Sequence, residues 1–142
     1  MNQETKQLFL IDEIYIYKRT DLHDQFGGQM QGGIKTPSQH NIIPLFTSHT
    51  GEQYGCKDGW TADRVFLYTG EGQVGDMTFT RGNRAIRNHL QLEKELHLFE
   101  YVNRGYVRYI GQMMYRGFQH RKGPDVNGNE RKVIVFELTP VK

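Results

Sequence analysis

The sequence predicts an α+β domain that is mostly β, a small curved barrel or curled sheet with one main helix over about residues 81–92. Three observations predict it. Short runs of β-branched and aromatic residues recur from end to end of the chain. Stretches rich in Gly, Pro, Asn and Gln separate them. One segment has helical apolar spacing, and no alternating strand–helix–strand rhythm accompanies it, which argues against a parallel sheet.

The elements follow in order. Residues 10–17 (LIDEIYIY) read as the first strand. Residues 21–39 hold Gly27-Gly28 and Gly32-Gly33 and form a long loop; long ordered loops in compact domains tend to be functional. Residues 41–47 (NIIPLFT) are a short strand whose Pro44 places it at an edge or a bulge. Residues 65–68 (VFLY) form another strand. Residues 81–92 are the helix, with Thr80 or Asn83 as cap and Ile86 and Leu90 as an i, i+4 apolar pair. Residues 96–102 alternate as a strand, Asn103-Arg104-Gly105 makes a hairpin turn, and 106–118 continue as a long strand with bulges expected at Gly111 and Gly117. Residues 123–129 (GPDVNGN) are a loop, and 132–141 form the last strand.

The 142 residues fit a single domain with a real core. No run approaches the ~18 apolar residues of a membrane-spanning helix, and the first residues lack the pattern of a secretory signal. One cysteine, Cys56, excludes an internal disulfide and a Cys-rich zinc site. A reducing, cytoplasmic setting is the expectation. The net charge is only +2, but it is unevenly spread. Residues 101–123 carry five Lys or Arg and no acid, and residues 77–89 carry Arg81, Arg84 and Arg87 and no acid. Such asymmetry suits one basic face for a polyanion; ordinary solvated surface is the alternative.

Catalytic and metal signatures are weak. None of the six histidines pairs with another at the spacing of a helical zinc motif, so structural or surface roles are expected. Cys56 as a nucleophile has no flanking signature. Neither a metal site nor a cofactor is expected, nor catalysis within this chain. Residues 70–75 (GEGQVG) match G-x-G-x-x-G in letters, but Glu71 stands where a phosphate would sit and no good helix begins at Gly75. The loop is either plain solvent-exposed chain or an insertion into a DNA groove. For the latter, Gln73 offers an amide for base edges and Val74 an apolar wedge.

The densest chemistry lies at residues 54–70. Tyr54, Trp60 and Tyr68 offer aromatic faces, Asp58 a carboxylate, and Gly55, Gly59 and Gly70 close backbone approach. A pocket for an extruded nucleobase needs these three kinds of group together. The other reading makes the aromatics core residues and Asp58 a turn residue.

Order and spacing here resemble the SRA (SET- and RING-associated) domain, of the PUA-like superfamily. The resemblance runs from about residue 27 to the end. It rests on Gly32-Gly33-Ile34, on Gly55-Cys56-Lys57-Asp58-Gly59, on Phe66-Leu67-Tyr68-Thr69-Gly70 and on Asn83-Arg84-Ala85-Ile86. The first half is most similar to SRA-like heads of HNH-type restriction endonucleases that cut modified DNA. The resemblance implies an SRA/PUA-like curved β-barrel that binds double-stranded DNA, flips out 5-methylcytosine or 5-hydroxymethylcytosine, and targets a fused or associated nuclease. It implies that residues 1–142 are the amino-terminal part of a longer protein. Tyr68 would be one face of the base sandwich, and Asp58, or the backbone next to it, the acceptor for the cytosine amine. Gly33 and Ile34 would shape the pocket or contact the backbone, and Asn83 and Arg84 would order the rim or bind phosphate. Cys56 stands where the family places its second sandwiching tyrosine, so Trp60 or Tyr54 replaces that ring, or the pocket is open to a bulkier modification. Arg81, Arg87, Arg116, Arg121 and Lys122 complete the expected DNA-backbone contacts. An RNA-binding PUA-like module is the rival reading.

Overall fold

The computed structural model describes residues 16–18, 34, 41–47, 58–103 and 106–141. The strands are β1 (Ile16–Lys18), β2 (Ile42–Thr47), β3 (Gly59–Trp60), β4 (Phe66–Thr69), β5 (Glu95–Asn103), β6 (Tyr106–Pro124) and β7 (Glu130–Pro140). The helix α1 spans Arg81–Arg87. The strands make one sheet in the order β2-β5-β6-β7-β4-β3. Pairing is antiparallel except between β2 and β5. The sheet curls into a half-barrel.

β6 organises the sheet because it is long and bent. β5 pairs along one edge, from Tyr106 to Met113. On the other edge β1 pairs with 106–108 and β7 takes over from Met113. The bends fall at the expected glycines. Gly111 has φ of +150°, and the register with β5 slips beside it. A second slip, between Tyr115 and Gly117, leaves Arg116 as the extra residue of a bulge.

The curl buries one face of the sheet as the main core. Ile43 and Leu45 of β2, Leu96 and Leu98 of β5, Met113 of β6, Phe136 and Leu138 of β7, and Phe66 and Tyr68 of β4 all lie in it. Ile86 of α1 and Met77 of the preceding loop close it from above. A smaller cluster on the other face joins Ile42, Phe46, Phe99, Val107 and Tyr109. Strand β5 is buried from Leu96 to Phe99 for this reason, since its two alternating faces meet two different cores. β2 ends the strand order, as Pro44 predicts.

The helix is shorter than the expected 81–92. It ends at Asn88, whose φ of −104° and ψ of 11° leave the helical region, and the chain turns on to Glu93 at φ +57°. Leu90 is 62% exposed, so the pairing with Ile86 does not form. His89 takes the buried place instead. Its Nε2 accepts the Tyr115 N–H at 3.1 Å, so its Nδ1 donates to the Lys94 carbonyl at 2.9 Å. Burial keeps this ring's pKa below the usual histidine value. Thr80 is the N-cap, but its side chain makes no capping bond.

Candidate nucleobase site

β2 and β3 stand at opposite ends of the strand order, yet side chains join the two edges. The Tyr68 hydroxyl donates to the Phe46 carbonyl at 3.0 Å. The Thr47 hydroxyl donates to Asp58 Oδ2 at 2.5 Å. Among the described residues, side chains rather than a backbone ladder join the sheet along this seam. Asp58 sits on that seam, and its Oδ1 accepts the Thr69 N–H at 2.7 Å. Burial pushes its carboxyl pKa up, against the lowering effect of the hydrogen bonds from Thr47 and Thr69. The Thr69 hydroxyl lies close enough to the carboxylate to contribute to that lowering. Its Oγ1 is nevertheless buried without a hydrogen bond of good geometry. A desolvated carboxylate beside a buried hydroxyl forms a pair that can accept from an amine at the carboxylate and donate to a neighbouring ring acceptor from the hydroxyl.

Gly70 continues from this point because nothing larger fits. A Cβ there would stand 2.8 Å from Asn83 Oδ1 and 3.2 Å from the Ile134 carbonyl. Asn83 then stitches the next loop to the helix. Its Oδ1 accepts the Glu71 N–H, and its Nδ2 donates to the carbonyls of Glu71 and Thr78. The Glu71 carboxylate accepts the Gly82 N–H at 2.9 Å. Residues 70–75 are therefore no phosphate loop, because a carboxylate of the chain occupies the helix amide.

The expected site residues separate into groups. Asp58 and Thr69 meet on the seam, and the Tyr68 hydroxyl bonds across it to Phe46. Trp60 lies beside it, 49% exposed and edge-on to Phe66 at 5.2 Å. Packing bears on three of the expectations. The Tyr68 ring is 2% exposed and packs in the main core, so in this structure it presents no open stacking face. Ile34 is buried, bridged to Leu45, and so close under Gly82 that a Cβ there would meet it at 2.7 Å. It belongs to the core. Asn83 is buried with its amide engaged, so it orders the loop and does not reach a phosphate. The expectations for Gly33, Tyr54 and Cys56 lie outside the described residues.

Arg81, Arg84, Arg87, Arg116, Arg121 and Lys122 are all exposed. Arg87 lies over the Phe79 ring, 4.5 Å from its centroid, and Phe79 packs edge-on to the half-exposed Phe118 of β6. Gln73 and Val74 are exposed on their loop. The sequence reading overlooked Thr47 and the pair Asp125 and Arg131. Thr47 closes an apolar strand, where a hydroxyl marks the edge of the core, and that was the available signal. Some partners of Asp125 and Arg131 lie 50 to 59 positions back in the chain, at Gly75 and Gly72, and spacing alone does not show them. Among the described residues no group of His, Cys, Asp and Glu is arranged to hold a metal ion. None of the helices described is long and apolar enough to cross a membrane.

The family model of the ScoMcrA-like SRA domain matches residues 14–142. The chain belongs to this SRA family. Solved SRA structures share its fold. The sulfur-binding and SRA domains of ScoMcrA, complexed with phosphorothioated DNA, align with a TM-score of 0.73 at 21% identity, covering 89% of this chain and 39% of that one. The type IV phosphorothioation-dependent restriction endonuclease ScoMcrA aligns at 0.72 and 23%, covering 92% and 26%. The SUVH5 SRA domain in complex with hemimethylated CG DNA aligns at 0.62 and 20%, covering 88% and 84%. The SRA chain described here thus spans well under half of the ScoMcrA chains it resembles. No curated sequence matches it at a significant level.

Proposed function

We propose that this SRA domain reads duplex DNA by taking a modified cytosine, 5-methylcytosine, 5-hydroxymethylcytosine or a bulkier derivative, out of the stack and into the seam at Asp58. The observation that carries this reading is the Asp58 carboxylate itself. It is desolvated, held in place by Thr47 and Thr69, and set beside the buried Thr69 hydroxyl. An exocyclic amine would supply the donor that such a carboxylate favours, and Thr69 Oγ1 would donate to the adjacent ring acceptor. The exposed Trp60 ring, two residues from Asp58, is a candidate face for stacking; use of Tyr68 requires its ring to leave the core. The domain has no catalytic role in this reading and directs a fused or associated nuclease, of HNH type by sequence resemblance. The fraction of the ScoMcrA chains it spans is in keeping with that.

The exposed arginines of α1 and β6 supply the phosphate contacts. Four to six such contacts give a log–log salt slope of roughly −4 to −5. Similar structures solved with nucleic acid hold DNA, which leaves the RNA-binding reading without support. Fluorescence anisotropy on matched duplexes carrying C, 5-methylcytosine or 5-hydroxymethylcytosine, with single-stranded RNA alongside, tests the proposal. A preference for a modified duplex, lost in Asp58→Asn, is the expected result. Equal binding to every duplex with tighter binding to RNA would sink it.

A further inference from the structure

The two halves of β6 are covered differently. β5 leaves the ladder at Met113. β7 continues beside β6 from Met113 to Pro124, on the opposite edge. The Tyr115 N–H, just past the last pairing with β5, donates to His89 Nε2 at 3.1 Å, so a side chain ends the ladder there. From Gly117 to Gly123 the register with β7 runs without a slip. In an antiparallel strand alternate residues turn their N–H and C=O groups to opposite edges. Every second residue of this run therefore faces away from β7. Among the described residues no backbone group pairs with that edge. The open run is as long as an ordinary strand.

The edge carries charge of one sign. Arg116, His120, Arg121 and Lys122 are exposed, and β6 holds no Asp or Glu. The acids of β7 lie across the ladder: Glu137 accepts from Gln119 Nε2 at 3.1 Å, and Glu130 stands opposite Pro124. Phe118 is 41% exposed, edge-on to Phe79 at 4.8 Å and to His120 at 5.3 Å. Exposed charges on an edge ordinarily keep other strands from pairing with it. A guard of one sign is selective. Two copies laid antiparallel about Gln119 would set Arg116 of each opposite Lys122 of the other, and like charges there destabilise the pair. DNA phosphates can meet the cations and the edge N–H groups, but they bring no donor for the edge carbonyls. An extended polypeptide brings donors and acceptors at the strand repeat. Acidic side chains on it answer the cations, and a β-branched one packs against Phe118.

We propose that the Gly117–Gly123 edge of β6 is a docking site for an extended acidic segment of a partner protein, which joins the sheet as an added strand. The DNA reading gives Arg116, Arg121 and Lys122 to phosphates, so a docked strand and a duplex compete for them. The inference does not rest on that reading, because no modified base takes part. The test uses the full chain and a capped, fluorescein-labelled peptide of alternating glutamate and valine, as long as the edge. A fully N-methylated copy keeps the charges but cannot donate to a ladder. A copy with lysine for glutamate reverses the sign. Anisotropy reads binding, and NMR reads amide exchange along residues 117–123. Lys122→Glu is the protein variant; the side chain is exposed, so its replacement leaves the core intact.

The glutamate peptide binds and slows exchange at alternate amides of the edge by about tenfold or more. N-methylation and the change to lysine each weaken binding on the order of tenfold. Lys122→Glu weakens it by about threefold. If the glutamate peptide and its N-methylated copy bind alike, the attraction is charge alone and strand docking is overturned. If the peptide leaves the edge amides unchanged while an unmodified duplex slows them, the edge belongs to DNA and the proposal falls. If exchange slows with rising protein concentration and no peptide, a second copy takes the edge, which also overturns it.

Discussion

Two aspartates lie in two corners of this domain and behave oppositely. Asp125 accepts three backbone N–H groups, from Gly75, Asn127 and Asn129, and the bond from Gly75 leads in holding its carboxyl below the usual carboxylate range. Asp58 accepts one N–H and one hydroxyl, and burial pushes its carboxyl above that range. The first carboxylate is fully engaged by its own chain and fixes a turn. The second is held in a place that disfavours its charge, with capacity for another donor. A carboxylate kept where it weakens the fold points to a ligand more strongly than one that strengthens it.

The largest expected effect follows from exchanging the two roles by substitution. Asp58→Asn should reduce discrimination for modified cytosine by about 1.5–3 kcal/mol, the range for a hydrogen bond to a charged group. Its stability at pH 7 should be unchanged or higher. Asp125→Asn should lower stability, and the amides of Gly75, Asn127 and Asn129 should exchange faster by NMR, while discrimination at the seam persists. If Asp58→Asn instead unfolds the domain and Asp125→Asn abolishes discrimination, the contrast between the two corners is reversed.

Acid titration sharpens the contrast. Both carboxylates start from a reference value of 3.8. Asp125 has a lowered folded value, so its contribution is present above the unfolded value and is lost as pH falls through the folded one. Asp58 has a raised folded value. Its neutral form favours folding at low pH, and that advantage is lost as pH rises through the folded value. Urea midpoints measured across the acid range should therefore rise more steeply with pH in Asp58→Asn than in wild type, and less steeply in Asp125→Asn.

Thr47→Val should have a smaller effect. It removes one donor from Asp58, moves the carboxyl titration further up by 13C NMR, and weakens modified-base binding by about 0.5–1.5 kcal/mol. Stronger binding would instead show that Thr47 competes with the ligand for Oδ2. The smallest effect is a shallow loss of stability as pH falls below about 6.5. Burial keeps His89 and His97 below the usual value, so protonation favours the unfolded chain.

The strands were readable because alternation and β-branched residues report half-buried extended chain, and Gly111 and Gly117 marked the places where the long strand bends. The helix end was not readable. Leu90 has the right spacing, but His89 gains two hydrogen bonds by turning inward, and spacing carries no information about the Tyr115 amide that donates to it. The site was readable in part. Asp58 and Tyr68 were identified from residue type, and each bonds across the seam, Asp58 to Thr47 and Tyr68 to Phe46. Sequence alone does not separate a stacking ring from a core ring, however, and Tyr68 is packed as the latter. Asn83 was expected to order the rim or bind phosphate, and its burial decides for order. The clamp of Asp125 and Arg131 depends on partners that only the closed sheet brings near.

The seam has a consequence for kinetics. Every neighbouring pair in the strand order is joined by a backbone ladder, whereas, among the described residues, Tyr68 of β4 and Asp58 before β3 reach β2 through the Tyr68–Phe46 and Thr47–Asp58 bonds. The same strands also share apolar packing, since Ile43 and Leu45 of β2 lie in one core with Phe66 and Tyr68 of β4. Opening the seam therefore costs more than the ~1–3 kcal/mol of two net hydrogen bonds, and exchange of the Thr69 amide, which donates to Asp58, should report how often it opens.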